Sequence, residues 1–262
     1  MDPQITELLN ALFRWIHVIA GVLWIGLLYF FNWVNGPFGK TLDAETKQKV
    51  LPELLPRTLY FFRWGAAYTW ISGVLLLGIV YYMGGPMVEG DGDPTNAMAI
   101  AAASFIVGAL VYDQLWQSPL GNNEKAAVVV SFVLLVGLMV AWSTQTDISA
   151  RAQFIHVGAL FGTAMAWNVW FRIWPAQRKI IAGIKSGNPA DPSNGKVAGL
   201  RSKHNTYMSV PLIFIMISSH FPSVLGYNGD QGWILLCGVI IVGWLFTWWV
   251  YKKSRTDAPA FY

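Results

Sequence analysis

Four histidines carry most of the chemistry this chain can offer: His17, His156, His204 and His220. Two of them sit in matching places. His17 lies in Ile16-His17-Val18 near the start of the first long apolar stretch, and His156 lies in Ile155-His156-Val157 near the start of the fifth. They are 139 residues apart (156 less 17), and the same step relates Tyr68 to Tyr207 and Val111-Tyr112 to Val250-Tyr251. A neutral imidazole is a ligand for iron, copper or zinc. An ionisable side chain inside an apolar helix is costly, so it reads as functional.

The elements that must hold these histidines are membrane helices. The chain is 55% hydrophobic and 12% charged, with 14 Trp and 15 Phe. A soluble domain carries about 25% charged residues. Runs near the roughly 20 apolar residues needed to cross a bilayer give seven expected spans, 11–34, 59–83, 97–116, 126–144, 152–174, 206–225 and 232–251. The expected fold is an all-α integral membrane protein, one membrane domain over 1–262. The 139-residue step makes it a parallel internal repeat, with one half over 11–144 and the other over 150–251. A parallel repeat is a known membrane architecture. The span 126–144 has no partner in the second half.

Charge orients the bundle. The formal net charge is +4 and the pI is near 9.1, but the basic residues are not spread as a nucleic-acid surface would need. Lys40, Lys47, Lys49 and Arg57 fall in 35–58. Arg178, Lys179, Lys185, Lys196, Arg201 and Lys203 follow the fifth span, and Lys252, Lys253 and Arg255 follow the last. Gly84–Asn96 holds Glu89, Asp91 and Asp93 without a Lys or Arg, and Phe221–Gln231 has neither. The positive-inside rule then expects the N-terminus outside and the C-terminus in the cytoplasm. The hydrophilic stretch Pro175–His204 reads as a long loop, and Asp43–Leu51 as a short interfacial helix. No cleavable leader is expected at Met1–Leu12. The one cysteine, Cys237, is a packing residue. No Cys-x-x-Cys-His is present, so no covalent haem c is expected.

The expected cofactor is haem b, one or two, held by neutral imidazoles between helices. His17, His156 and His220 fall near one depth on the outer side and are the expected iron ligands. Gly21, Gly158 and Gly162 offer small surfaces on which a ring could lie. Arg14, three residues before His17, would meet a propionate, and Arg151 is similarly placed. His204 begins the sixth span on the other side, 16 residues before His220, about 24 Å along a helix. It is a further cofactor candidate or an interfacial basic residue. A membrane histidine can also simply hydrogen-bond a neighbouring helix. Zinc or copper would accept three histidines, although no Met or Cys accompanies them. Arg63 and Asp113, at ends of the second and third spans, read as an interfacial ion pair or a proton acceptor.

The stretch Arg14-Trp-Ile-His17-Val-Ile-Ala-Gly-Val-Leu-Trp-Ile-Gly resembles a membrane haem superfamily whose first helix reads Arg-Trp-Leu-His. Closer motifs are Arg201-Ser-Lys-His204-Asn-Thr-Tyr207-Met-Ser, Pro211, Ser219-His220-Phe-Pro222 and Trp-Asn168-Val-Trp-Phe. These resemble the N-terminal membrane domain of bacterial membrane-bound urate hydroxylase, the urate oxidase N-terminal family. The resemblance implies oxidation of urate to 5-hydroxyisourate, a step of purine catabolism, with electrons passed to cytochrome c. Fuller members add a last helix and a periplasmic cytochrome c domain. This chain is expected to lack both, so a separate periplasmic cytochrome c would take the electrons. His204, Asn205 and Arg201 are the candidate contacts for an anionic purine. The alternative function is a non-catalytic, cytochrome-b-like electron-transfer or anchor subunit of a respiratory complex. A transporter is a third.

Overall fold

The computed structural model describes residues 2–83, 87–88, 92–188, 190–221 and 232–256. Glu89, Asp91 and most of the turn Phe221–Gln231 therefore lie outside the described residues. The elements are α1 (Pro3–Tyr29), α2 (Gly36–Thr41), α3 (Ala44–Leu77), α4 (Pro94–Leu115), α5 (Glu124–Gln145), α6 (Ala150–Trp167), α7 (Trp174–Ser186), α8 (Pro192–Ser218) and α9 (Gly232–Ser254). Among the described residues the only strand-like pairing is an isolated bridge between Val88 and Ile148. The protein is all-α.

Among the described residues, six stretches are long and apolar enough to cross a membrane: Pro3–Thr41, Ala44–Tyr82, Pro94–Leu115, Glu124–Gln145, Ala150–Ser186 and Gly232–Ser254. Their flanks expose large apolar side chains, such as Val22 at 70% and Val242 at 66%, which only a lipid solvent makes tolerable. The chain is a multi-pass membrane protein. These six correspond to six of the seven expected spans. The seventh, 206–225, starts inside α8 and runs beyond the described residues. The first half of α8 carries Lys196, Arg201 and Lys203, which lowers its hydropathy.

Two local expectations are corrected. The stretch 175–204 is not a long loop. It forms α7 and the start of α8, joined where Gly187 takes a left-handed φ of 72°, the turn that ends a helix at a glycine. The helix expected at 43–51 is not separate either. It is the first part of α3, which runs on through Pro52 and Pro56 into the second span. Each proline removes one ladder bond, but the helix start is well held. The Asp43 carboxylate accepts from the Thr46 N–H at 2.9 Å and from its hydroxyl at 2.9 Å. The same two groups hold its pKa below the ordinary carboxylate range.

Three helices pass into π-helical turns: Phe30–Asn35 after α1, Gly78–Tyr82 after α3 and Asn168–Ile173 after α6. The first has a visible cause. Asn32 Nδ2 donates to the Leu28 carbonyl at 2.9 Å, the group its own backbone N–H would use in an α-helix. A side chain inserted into the ladder forces the wider turn. Such turns often mark functional sites. The first and third are each followed by a helix with proline at its second position, Pro37 and Pro175.

The chain forms two compact units. One comprises Met1–Phe13, Gly73–Ala164 and Pro211–Val242; the other comprises Arg14–Ser72, Met165–Val210 and Gly243–Tyr262. Each unit draws on both sequence halves. The first has a core that includes Phe105, Met139, Trp142, Phe154 and His156, and the second one that includes Trp24, Leu28, Phe62 and Met165. In the second, α1 and α3 approach closely at Gly65. A Cβ there would stand 3.2 Å from the Trp24 backbone nitrogen, which is why a small residue sits at that crossing.

Candidate histidine sites

His156 is in the first unit and fully buried. Its Nδ1 lies 2.7 Å from the Ala152 carbonyl. A carbonyl only accepts, so Nδ1 carries the proton and Nε2 is the lone-pair nitrogen. Tyr82 Oη lies 2.9 Å from that Nε2, and its hydroxyl therefore donates to it. Tyr82 comes from the π-helical turn after α3, and its ring stacks on the imidazole at 5.7 Å and 25°. Tyr81, Phe105 and Trp142 surround the ring at 6.1, 6.4 and 6.5 Å.

His17 belongs to the second unit and is half-buried. Its Nδ1 lies 3.1 Å from Ser72 Oγ. Ser72 donates its own proton to the Tyr68 carbonyl at 2.6 Å, so its oxygen accepts from His17 Nδ1. The lone pair is again on Nε2. The Thr69 backbone carbonyl is a further hydrogen-bond partner of the ring. Beside the ring, the space above Gly21 is bounded only by the Thr69 side chain, at 3.8 Å. Arg14 is exposed, three residues back on the same helix.

These geometries test whether the residues fit a haem. Histidine ligands to iron present one nitrogen while the other donates to a protein acceptor. Both rings meet that condition with Nε2 outward. His156 would first have to release Tyr82. The glycines differ too. A Cβ at Gly158 would collide with Met216 and Ile215, so Gly158 serves the packing of α6 on α8, while Gly162 has nothing within 4 Å.

The other candidates are placed as follows. His220 is exposed in the turn after α8, its backbone N–H bonded to the Ile217 carbonyl at 3.0 Å. His204 is a mid-helix residue of α8 in the second unit, not the start of a helix. Its neighbours Arg201 and Asn205 are buried. Asn205 is occupied within the protein: Nδ2 donates to the Met165 carbonyl at 3.0 Å, and Oδ1 accepts from Asn168 Nδ2 at 2.8 Å. It holds α6 to α8. A second polar knot joins the π-turn after α1 to α8 and α9, where Asn32 Nδ2 donates to Ser202 Oγ at 2.8 Å and Oδ1 accepts from Tyr251 at 2.9 Å.

Arg63 and Asp113 fall in different units. Asp113 is buried and accepts from Gln117 Nε2 at 2.9 Å. Arg63 lies over the Trp174 ring at 4.2 Å. Among the described residues no three or more His, Cys, Asp or Glu converge as a metal cluster would need. Cys237 is a half-buried free thiol. Reading the sequence for chemistry missed Tyr82, Ser72 and Asn32. The only available signal was that each is polar within an otherwise apolar run.

The class is thus a multi-pass helical membrane protein with an Nε2-presenting histidine in each of its two units. The family model described as urate oxidase N-terminal matches residues 39–261. The chain belongs to the urate oxidase N-terminal family. Comparison with curated proteins and with solved structures gives no match.

Proposed function

We propose that this chain is a haem-b-containing membrane oxidoreductase that oxidises urate to 5-hydroxyisourate and passes the electrons to cytochrome c. The observation that carries the haem reading is the matched state of His17 and His156: each ring gives its Nδ1 proton to a protein acceptor and presents Nε2. Family membership supports the substrate.

Haem b, when bound, supplies a one-electron carrier. The protein's own residues supply the rest. Ser72 and the Ala152 carbonyl hold the two imidazoles in the ligand tautomer. Arg14 offers a positive charge for a propionate. Tyr82 covers His156 Nε2 until a stronger partner claims it. Hydroxylation with water releases two electrons and two protons per urate, so a one-electron acceptor is reduced twice. Arg201, a buried cation beside His204, is the proposed charge for an anionic purine. Asn205 positions α6 against α8 rather than touching the purine. His220 is kept as a third candidate ligand.

The wider architecture proposed is seven spans, N-terminus outside and C-terminus inside, with a parallel repeat in a bacterial inner membrane. The recurring order of α-helix, π-turn and Pro-led helix supports the repeat. Its π-turns begin at Phe30 and Asn168, 138 residues apart (168 less 30).

The test adds urate anaerobically to the oxidised, purified protein and follows the haem spectrum. Reduction by urate is expected, and Arg201→Gln should slow it. A haem spectrum that urate leaves unchanged would remove the hydroxylase and leave an electron-transfer subunit.

A further inference from the structure

Two arginines converge on one indole in the second unit, and among the described residues neither is paired with an acid. The Arg63 guanidinium carbon lies 4.2 Å from the Trp174 ring centroid, and that of Arg178 lies 5.8 Å from it. The two charges are therefore no further apart than the sum of those distances, on the order of one Debye length, about 10 Å in 0.1 M salt. Like charges that close repel unless an anion lies near. Neither guanidinium has a hydrogen bond or ion pair with a described residue. Arg63 Nε is shut off from solvent without a partner, whereas its terminal nitrogens are not enclosed. The terminal nitrogens of Arg63 thus keep access to an anion. Tyr60 and Trp170 complete the box at 5.7 and 5.8 Å.

The surroundings define what kind of anion fits. Tyr60, which borders Arg63, is exposed at 51%, an apolar ring that acyl chains would cover. Arg178 opens the amphipathic α7, which carries Lys179 and Lys185 and no acidic residue between Trp174 and Ser186. Its Ile180, Ile181 and Ile184 are partly buried. Aromatic rings, arginines and an amphipathic basic helix at the end of a membrane span are the furniture of the headgroup layer.

We propose that Arg63 and Arg178, which share the Trp174 indole, form a binding site for the phosphate of an anionic phospholipid. Arginine suits it because its planar fork pairs two N–H groups with phosphate oxygens. The inference rests on the membrane fold alone and stands apart from the haem reading.

The experiment uses the full chain in a zwitterionic detergent. Its melting temperature is followed by tryptophan fluorescence during titration with phosphatidylglycerol, phosphatidylcholine or inorganic phosphate. Native mass spectrometry counts retained lipids. Phosphatidylglycerol should raise the melting temperature saturably, as a ligand of the folded state does; the other two should not. Arg178→Gln and Arg63→Gln should each weaken the apparent lipid affinity about tenfold, the worth of one charge-assisted hydrogen bond. Lys185→Gln, further along α7, should leave it unchanged. Should Arg63→Gln fail to fold, the exposed Arg178→Gln carries the test. An equal response in Arg178→Gln and wild type would overturn the proposal, as would an equal loss in Lys185→Gln. A shift reproduced by inorganic phosphate would overturn the lipid assignment.

Discussion

His17 and His156 present the same nitrogen in opposite surroundings. Both rings are protonated at Nδ1 by the logic of their acceptors, Ser72 Oγ and the Ala152 carbonyl. His156 is then sealed, with Tyr82 on Nε2 and aromatic rings around it. His17 stays half-buried, held by Ser72 and the Thr69 backbone carbonyl and without such an aromatic enclosure. The difference teaches that tautomer and availability are set separately. A backbone carbonyl four residues back fixes the tautomer of His156 from within its own helix, whereas α3 supplies the fixing group for His17 and the π-turn after α3 the covering group for His156.

Truncation should separate the two most strongly. His156→Ala empties a buried site and leaves the Tyr82 hydroxyl without its acceptor, so it should cost about 2–4 kcal/mol in denaturant unfolding. His17→Ala should cost about 1 kcal/mol, the worth of one hydrogen bond. Equal losses would show that the two environments are alike after all. Next come the second partners. Ser72→Ala should weaken haem retention about 10–100-fold, as loss of a group orienting a ligand does, with little change in folding. Tyr82→Phe should instead cost about 1 kcal/mol of stability and leave haem retention at or above the wild-type level, because it uncovers a nitrogen. A fall in haem retention in Tyr82→Phe would make the tyrosine part of the site rather than its cover.

Much of this was legible in the sequence, for physical reasons. Membrane helices announce themselves through composition, because lipid penalises charge all along a span. The stepped histidines stand out because such residues are rare there. The partners were not legible. Ser72 is 55 residues from His17, and Tyr82 is 74 from His156, and no periodicity links them. The stretch 175–204 looked like a loop because Gly, Pro and Lys abound in it. Its helices form because those residues gather at ends: Pro175 and Pro192 at starts, and Gly187 at a stop. The prolines of α3 misled in the opposite sense, since the cap at Asp43 and the apolar span beyond hold the helix across them.

That cap provides the smallest effect and a control remote from both histidines. The Asp43 carboxyl has its pKa lowered in the fold. Its contribution is therefore present above the unfolded value, about 3.9, and is lost as pH falls through the lower folded value. Protection from hydrogen exchange at Thr46 and Lys47, taken against the intrinsic rate at each pH, should fall in Asp43→Ala at neutral pH, and in wild type only under acid. Neither change should alter either histidine.

The central claim is that His17 and His156 are haem ligands. The reduced-minus-oxidised spectrum of the purified protein from haem-replete cells tests it most directly. The account predicts a b-type signal that is lost or displaced in both His17→Ala and His156→Ala. A colourless preparation, or a signal indifferent to both substitutions, would contradict it.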